Sequence, residues 1–177
     1  MSPLENYEPG PADIAHVDKD GDRWTLVLVK QLRHSPARVW DALTDPAQLR
    51  EWAPFDADGH LGHAGAAVNL TTVGAPGPHV TEARVTRADR PESLEYNWGD
   101  FNMRWQLEPV NGGTKLTLWT NIDRKYMAMG AAGWQICFEV LDHLLDGTPI
   151  GRTVGPAVMQ VAGWRRLTAD YTKQFAD

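Results

Sequence analysis

The segment from Phe101 to Asn121 constrains this chain more than any other. Phe101, Met103, Trp105 and Leu107 alternate with polar residues without a break, the period of a strand with one buried face. Asn111-Gly112-Gly113 follows, a turn sequence that tolerates positive φ, and Thr114 to Asn121 returns as the second arm of a hairpin. Beyond Asn121 the period changes to 3.6. Trp134, Cys137, Phe138, Leu141 and Leu144 fall on one apolar stripe, with Gln135, Glu139 and Asp142 opposite, and Gly147 is a suitable residue to close the helix. Antiparallel strands feeding an amphipathic helix demand a sheet covered by helix on one face, an α+β plan.

The flanking segments fit that plan. WTLVLVKQLR, from Trp24 to Arg33, reads as a strand, and Ser35-Pro36 opens a short helix with Val39, Trp40 and Leu43 inward. Thr44-Asp45-Pro46 repeats the start signal for a second short helix carrying Leu49 and Trp52. Val68, Leu70 and Thr72 alternate on a strand that ends in Gly74-Ala75-Pro76-Gly77-Pro78. His79 to Ala88 and Ser93 to Trp98 give two more strands around Asp89-Arg90-Pro91-Glu92. The expectation is a curved antiparallel sheet of about six or seven strands on one long helix. Residues 1–23 show neither period and read as an arm that lies on the domain or stays mobile. The domain proper is 24–147. Residues 148–177 add a helix starting at Pro156, whose edge of Val161, Trp164, Thr168, Tyr171 and Phe175 must cover something: its own domain, a cavity mouth, or a second copy in a homodimer.

Composition narrows the function classes. Seventeen Lys and Arg against 23 Asp and Glu leave a net charge of −6, spread along the chain, which argues against nucleic-acid binding. With 42% apolar residues the chain can fill a core. One cysteine excludes a disulfide framework and a cysteine-rich zinc site. No apolar run is long enough to span a bilayer and no secretory signal pattern opens the chain, so it reads as cytoplasmic, without membrane insertion. Eight Trp are an excess in such a domain.

Local motifs for catalysis are absent. No nucleophile elbow, zinc-protease helix, Walker loop or dinucleotide fingerprint occurs, and no cofactor is expected. His60 and His63, near Asp56 and Asp58, have ligand chemistry but sit in a Gly-rich loop without a third nitrogen or sulfur donor, so no metal is assigned. Asp18-Lys19-Asp20-Gly21-Asp22 fails as a calcium loop because Arg23 and Val29 stand where Gly and a bidentate Glu are needed. Cys137 lies on the apolar face of its helix and His143 off that face, so they make no dyad.

Several stretches together resemble a known family: Pro36-Ala37-Arg38-Val39-Trp40-Asp41-Ala42-Leu43-Thr44-Asp45-Pro46, Leu49 to Trp52, Leu94-Glu95-Tyr96-Asn97-Trp98, Leu107-Glu108-Pro109 through Gly112-Gly113-Thr114-Lys115-Leu116-Thr117-Leu118, and Gly133-Trp134. In this order they resemble the SRPBCC or START-like (Bet v 1-like) superfamily, and within it the branch named after a heat-shock-protein ATPase activator. The resemblance implies a helix-grip fold, with a bent antiparallel sheet wrapped on the long helix around an apolar cavity. It implies a lipid, sterol, polyketide or other hydrophobic ligand; a few members are cyclases or hydrolases. The co-chaperone of the branch carries an additional N-terminal domain, which the residues before Trp24 are too few to supply. Where the family pattern often reads Arg-Trp-Trp-Xaa-Pro, this chain has Glu51-Trp52-Ala53-Pro54, one aromatic fewer.

On that fold the cavity candidates are Trp52, Phe55, Leu70, Glu82, Arg84, Tyr96, Trp98, Met103, Trp105, Leu118, Trp134, Cys137, Phe138 and Leu141. The expected partner is a small hydrophobic or aromatic molecule. Two alternatives stay open: an enzyme of the same fold in which Tyr96, Glu82 or Arg84 polarises a carbonyl or moves a proton, and a protein-interaction module using the arm or the last helix.

Overall fold

A computed structural model describes residues 3–77 and 79–176; Met1, Ser2, Pro78 and Asp177, which the sequence reading places in the arm, a turn and the C-terminal extension, lie outside the described residues. The elements in chain order are β1 (Ala15–Asp20), β2 (Arg23–Leu32), α1 (Pro36–Thr44), α2 (Pro46–Leu49), β3 (Phe55–Ala57), β4 (Ala67–Thr72), β5 (Val80–Arg84), β6 (Arg87–Asp89), β7 (Ser93–Trp98), β8 (Phe101–Val110), β9 (Gly113–Asn121), α3 (Met127–Leu145) and α4 (Trp164–Phe175). A six-stranded antiparallel sheet runs β1-β2-β9-β8-β7-β6, and a three-stranded sheet runs β3-β4-β5. The inner face of the large sheet carries α3, and α4 packs on α3 from the far side. This is the helix grip.

The caps follow from the sequence. Ser35 Oγ accepts from the Arg38 N–H at 3.3 Å to open α1, and Asp45 accepts from the Ala47 N–H at 3.0 Å to open α2. At the end of α3, Thr148 N–H bonds His143 O and Gly147 N–H bonds Leu144 O, with Gly147 at φ 80°, which is a Schellman motif. The β8–β9 hairpin pairs Val110 with Gly113 around Asn111 and Gly112, both at positive φ.

Four features differ from the sequence reading, the first being that the last helix starts at Trp164 and not at Pro156, which opens a separate 3-10 turn over Gly155–Gln160. The arm contains β1, which pairs along its whole length with β2. From His16 onward its residues are exposed or half-exposed, so an edge strand of this kind carries no period-2 signal. The stretch from His79 to Ala88 is two strands in two sheets. The Asn97 side chain takes the place of backbone pairing at the junction, accepting from Arg84 N–H at 2.8 Å and donating to Glu82 O at 3.1 Å. Finally, α3 begins at Met127, seven residues before Trp134. Gly130 in its first turns leaves room for Ile122, whose Cδ1 would lie 2.6 Å from a Cβ there.

The arm and α4 are tied to α3 through polar groups. Glu139 accepts from Tyr7 Oη–H at 2.6 Å and from Gly10 N–H at 3.2 Å. Gln135 donates to Gly10 O and Pro11 O, and accepts from the Tyr171 hydroxyl on α4. Arg166 donates to Gly10 O and Pro9 O. The α4 edge that the sequence left in search of a cover is buried inside the chain: Trp164 is 9% exposed, and Leu167 and Tyr171 are fully buried. Tyr171 stacks on Phe175 at 5.4 Å.

Where β9 starts, Gly113 admits no side chain, since a Cβ there would lie 2.2 Å from Leu32 O, a backbone atom that cannot turn away. Gly113→Ala is expected to destabilise the fold by about 2–3 kcal/mol, as forced overpacking does, read as a lowered urea midpoint at unchanged slope. Gly113 is not at positive φ, so its cost is steric; Gly112→Ala, with nothing within 4 Å of the Cβ position, carries only the backbone cost of φ 80°.

Candidate functional site

The strongest concentration of aromatic side chains lies between the large sheet and α3. Trp105 on β8 points inward and meets three rings edge-on or tilted: Trp52 at 6.3 Å, Trp134 at 5.9 Å and Phe138 at 5.9 Å. Its Nε1–H donates to Tyr96 Oη at 3.2 Å, so the inward tyrosine finds its partner in a side chain rather than in the backbone. Trp134 continues the array to Trp98 at 6.4 Å, and Trp98 to Phe55 at 5.0 Å and Phe101 at 5.8 Å. Phe55 closes the set against Tyr96 at 6.3 Å. Trp98 is half-buried and Phe101 is 37% exposed, so the array reaches the surface at the β7–β8 turn.

Most sequence-predicted residues meet here. Trp52, Phe55, Leu70, Tyr96, Met103, Trp105, Leu118, Phe138 and Leu141 are at most 2% exposed, with Cys137 and Trp134 slightly more open. None of them carries a charge. Burial pushes the Cys137 thiol up to about 12, against a smaller opposite pull from Arg152. Burial likewise raises Tyr96, which keeps its proton across the ordinary pH range.

Glu82 and Arg84 are the correction. They do pair, Arg84 Nε donating to Glu82 Oε1 at 3.1 Å, but both side chains are more than half exposed, on the outer face of β5. Alternation showed that they share a face without showing which. The inner face of that strand belongs to Thr81 and Ala83, because Ala83 and the partner of Thr81, Leu70, are fully buried.

Sequence reasoning missed Arg152. Its guanidinium, 17% exposed, donates from Nε to Ala53 O at 2.7 Å, from Nη2 to Phe55 O at 2.8 Å and from Nη1 to Asp56 Oδ1 at 2.7 Å. It clamps the segment that carries Trp52 and Phe55 into the array. A single arginine in the loop after the long helix has no signature to find it by.

The other candidates are scattered. His60 and His63 have ring centroids 5.1 Å apart, but His60 Nδ1 accepts from Gly62 N–H, Asp58 is taken by Asn69, and Asp56 by Arg152. Among the described residues, His34, Asp142 and Asp146 bring ligand-type atoms within 4.8 Å of one another. The two carboxylates sit at the negative end of α3, where His34 Nε2, 2.7 Å from Asp146, and Lys30 Nζ, 3.8 Å from Asp142, offset them.

An open concavity of about 1080 Å³ lies at the end of the large sheet around the β7–β8 turn and onto its outer face, sharing Phe101 with the array but none of its other rings. Two of its aromatic walls are covered by cations: Lys19 and Arg124 stand 4.3 and 4.1 Å from the Trp24 ring, and Arg104 4.5 Å from Trp119. It is polar, with Asp18, Asp20, Asp22 and Asp100 among its walls. No helix among the described residues is long and apolar enough to cross a membrane.

Comparison with known proteins agrees with this architecture. The family model described as Activator of Hsp90 ATPase homolog 1-like protein matches residues 33–146, well over half of the chain. CalU16 from Micromonospora echinospora is similar in structure at a TM-score of 0.65 and 16% identity, over 92% of this chain and 95% of that one. EF2215 from Enterococcus faecalis, a conserved protein of unknown function, gives 0.65 at 14% identity, over 90% and 89%. Protein MLL2253 from Mesorhizobium loti gives 0.60 at 26% identity, over 70% of this chain and 98% of that one. No curated protein sequence matches significantly. The matched segment runs from the residues before α1 to the end of α3, and so takes in both short helices, seven of the strands and the helix that the sheet grips. The chain therefore belongs to the Activator of Hsp90 ATPase homolog 1-like family, within the START-like superfamily of helix-grip folds.

Proposed function

We propose that this protein binds a small apolar molecule, aromatic or lipid-like, between the large sheet and α3. The observation that carries the reading is the uncharged aromatic array itself, continuous from exposed Phe101 and half-buried Trp98 to fully buried Trp52. An apolar ligand gains roughly 25 cal/mol per Å² of apolar surface removed from water, and flat indole faces offer it offset and edge-on contacts. Its route lies beside Trp98, the least buried ring of the inner set. The Trp98, Trp134 and Trp105 rings receive the molecule. Arg152 holds the opposite wall in place through Phe55.

The reading favours binding over catalysis. Tyr96 accepts from Trp105, Cys137 is held protonated, and Glu82 with Arg84 faces solvent, so none of these candidates stands ready as a base beside the array.

Titration with a panel of fatty acids, sterols and polycyclic aromatics is expected to quench intrinsic Trp fluorescence saturably. Trp134→Ala weakens the binding at least about tenfold, through the contact area lost with one indole. Trp98→Leu, at a half-buried position where folding is less at stake, shows the same direction. A panel without a single saturable quench contradicts the reading. The second check uses the thiol. Because burial holds Cys137 near 12, below that pH it is the neutral, unreactive form. At pH 8.5 a disulfide reagent modifies native protein at least ~100-fold more slowly than urea-unfolded protein, and bound ligand slows it further. Equal rates with and without ligand place the ligand elsewhere.

A further inference from the structure

Most inward hydroxyls of this fold have a hydrogen-bond partner. Thr44 Oγ1 donates to Trp40 O, Thr114 Oγ1 to His34 O, and Thr120 Oγ1 has Met103 Sδ and Asn121 O, while Tyr96 Oη accepts from Trp105. Thr81 is different. Its Oγ1 is buried and has no hydrogen-bond partner among the described residues, a state shared only with Thr168 on α4. A helical threonine can turn its hydroxyl to the carbonyl one turn back, as Thr172 does to Thr168 O at 2.8 Å; a strand residue has no such local acceptor. Thr81 therefore needs an explanation that Thr168 does not.

Its position supplies one. Thr81 lies on the inner face of β5, opposite fully buried Leu70 on β4 and two residues before fully buried Ala83. Its methyl group stands 3.7 Å from where a Cβ of Gly99 would be, so it adjoins the residue after Trp98, at the point where the array reaches the surface. The Phe55 ring, 5.0 Å from Trp98, projects from β3, the next strand beyond β4. An unpaired hydroxyl in such an apolar rim is costly, and a hydrogen-bonding group brought by the ligand removes that cost.

We propose that the ligand is not a pure hydrocarbon but an apolar molecule with one hydrogen-bond acceptor, a carbonyl or equivalent oxygen, which Thr81 Oγ1 receives as the molecule enters beside Trp98. The inference rests on the apolar-ligand reading above and names the chemistry of that same site. Thr81 is thus a specificity-determining residue. It adds little to the grip on the apolar body and selects oxygenated molecules among those of equal shape.

Three matched pairs test it by equilibrium dialysis: diphenylmethane with benzophenone, fluorene with 9-fluorenone, and tridecane with 2-tridecanone. In the pairs that bind, the ketone is expected to bind about tenfold tighter than its hydrocarbon, the order of one hydrogen bond to a group otherwise left bare. Thr81→Val, nearly isosteric, removes that advantage and leaves the hydrocarbon within about twofold, whereas Thr81→Ser preserves the advantage. Hydrocarbon and ketone binding equally, as they would if solvent already satisfied Thr81, overturns the inference and leaves the apolar-ligand reading standing. So does a ketone advantage that survives Thr81→Val. Failure of all six molecules to bind overturns both.

Discussion

The indole of Trp105 packs between parts of the chain that are remote in sequence: Trp52 after α2, Trp134 and Phe138 on α3, and Tyr96 on the neighbouring strand. Each such ring pair contributes about 0.5–1.5 kcal/mol beyond the area it buries, and here three meet on one side chain. The sheet, the short helices and the long helix are held in mutual register by that residue. It stands at the centre of the strongest period-2 run in the chain, so the segment that specifies the sheet also supplies the contact on which the helix closes. The rings of this region carry no charge, and that is what lets them pack against one another.

The peripheral elements follow from that centre. Once α3 lies on Trp105, its opposite side offers Gln135 and Glu139, a polar pair half-shielded from water that needs partners. The arm and α4 provide them through backbone carbonyls, Tyr7, Tyr171 and the Gly10 amide. The last helix is thereby an internal cover, which accounts for its apolar edge without a second copy of the chain. Arg152 acts similarly on the other flank, fixing by three hydrogen bonds a segment that has little secondary structure of its own.

What was legible in the sequence was local. Ser35, Asp45 and Gly147 act as caps because capping depends on a few neighbouring residues, and the run from Phe101 to Leu107 alternates because one face of one strand is buried. What was not legible depends on distant partners. β1 pairs on one edge and faces water along most of its length, leaving no alternation to read. The first turns of α3 are apolar on every side, Met129 on the exposed side included, so no stripe marks where the helix starts. The facing of Glu82 and Arg84 was set by strand β4 and by Asn97, neither of which their own spacing reveals. Of the eight Trp, Trp98, Trp105 and Trp134 do converge as their periods implied. Trp24 and Trp119 line the polar concavity on the outer face and are covered by cations.

That division of the tryptophans offers the most direct test. Each indole Nε1–H gives its own resonance in a ¹H–¹⁵N spectrum, and single Trp→Phe variants assign them. Titration with an apolar molecule that quenches the fluorescence is predicted to shift the resonances of Trp98, Trp105 and Trp134 while those of Trp24, Trp119 and Trp164 stay in place. Shifts confined to Trp24 and Trp119 would contradict the account, since they would put the binding surface on the open polar concavity instead of between the sheet and the long helix.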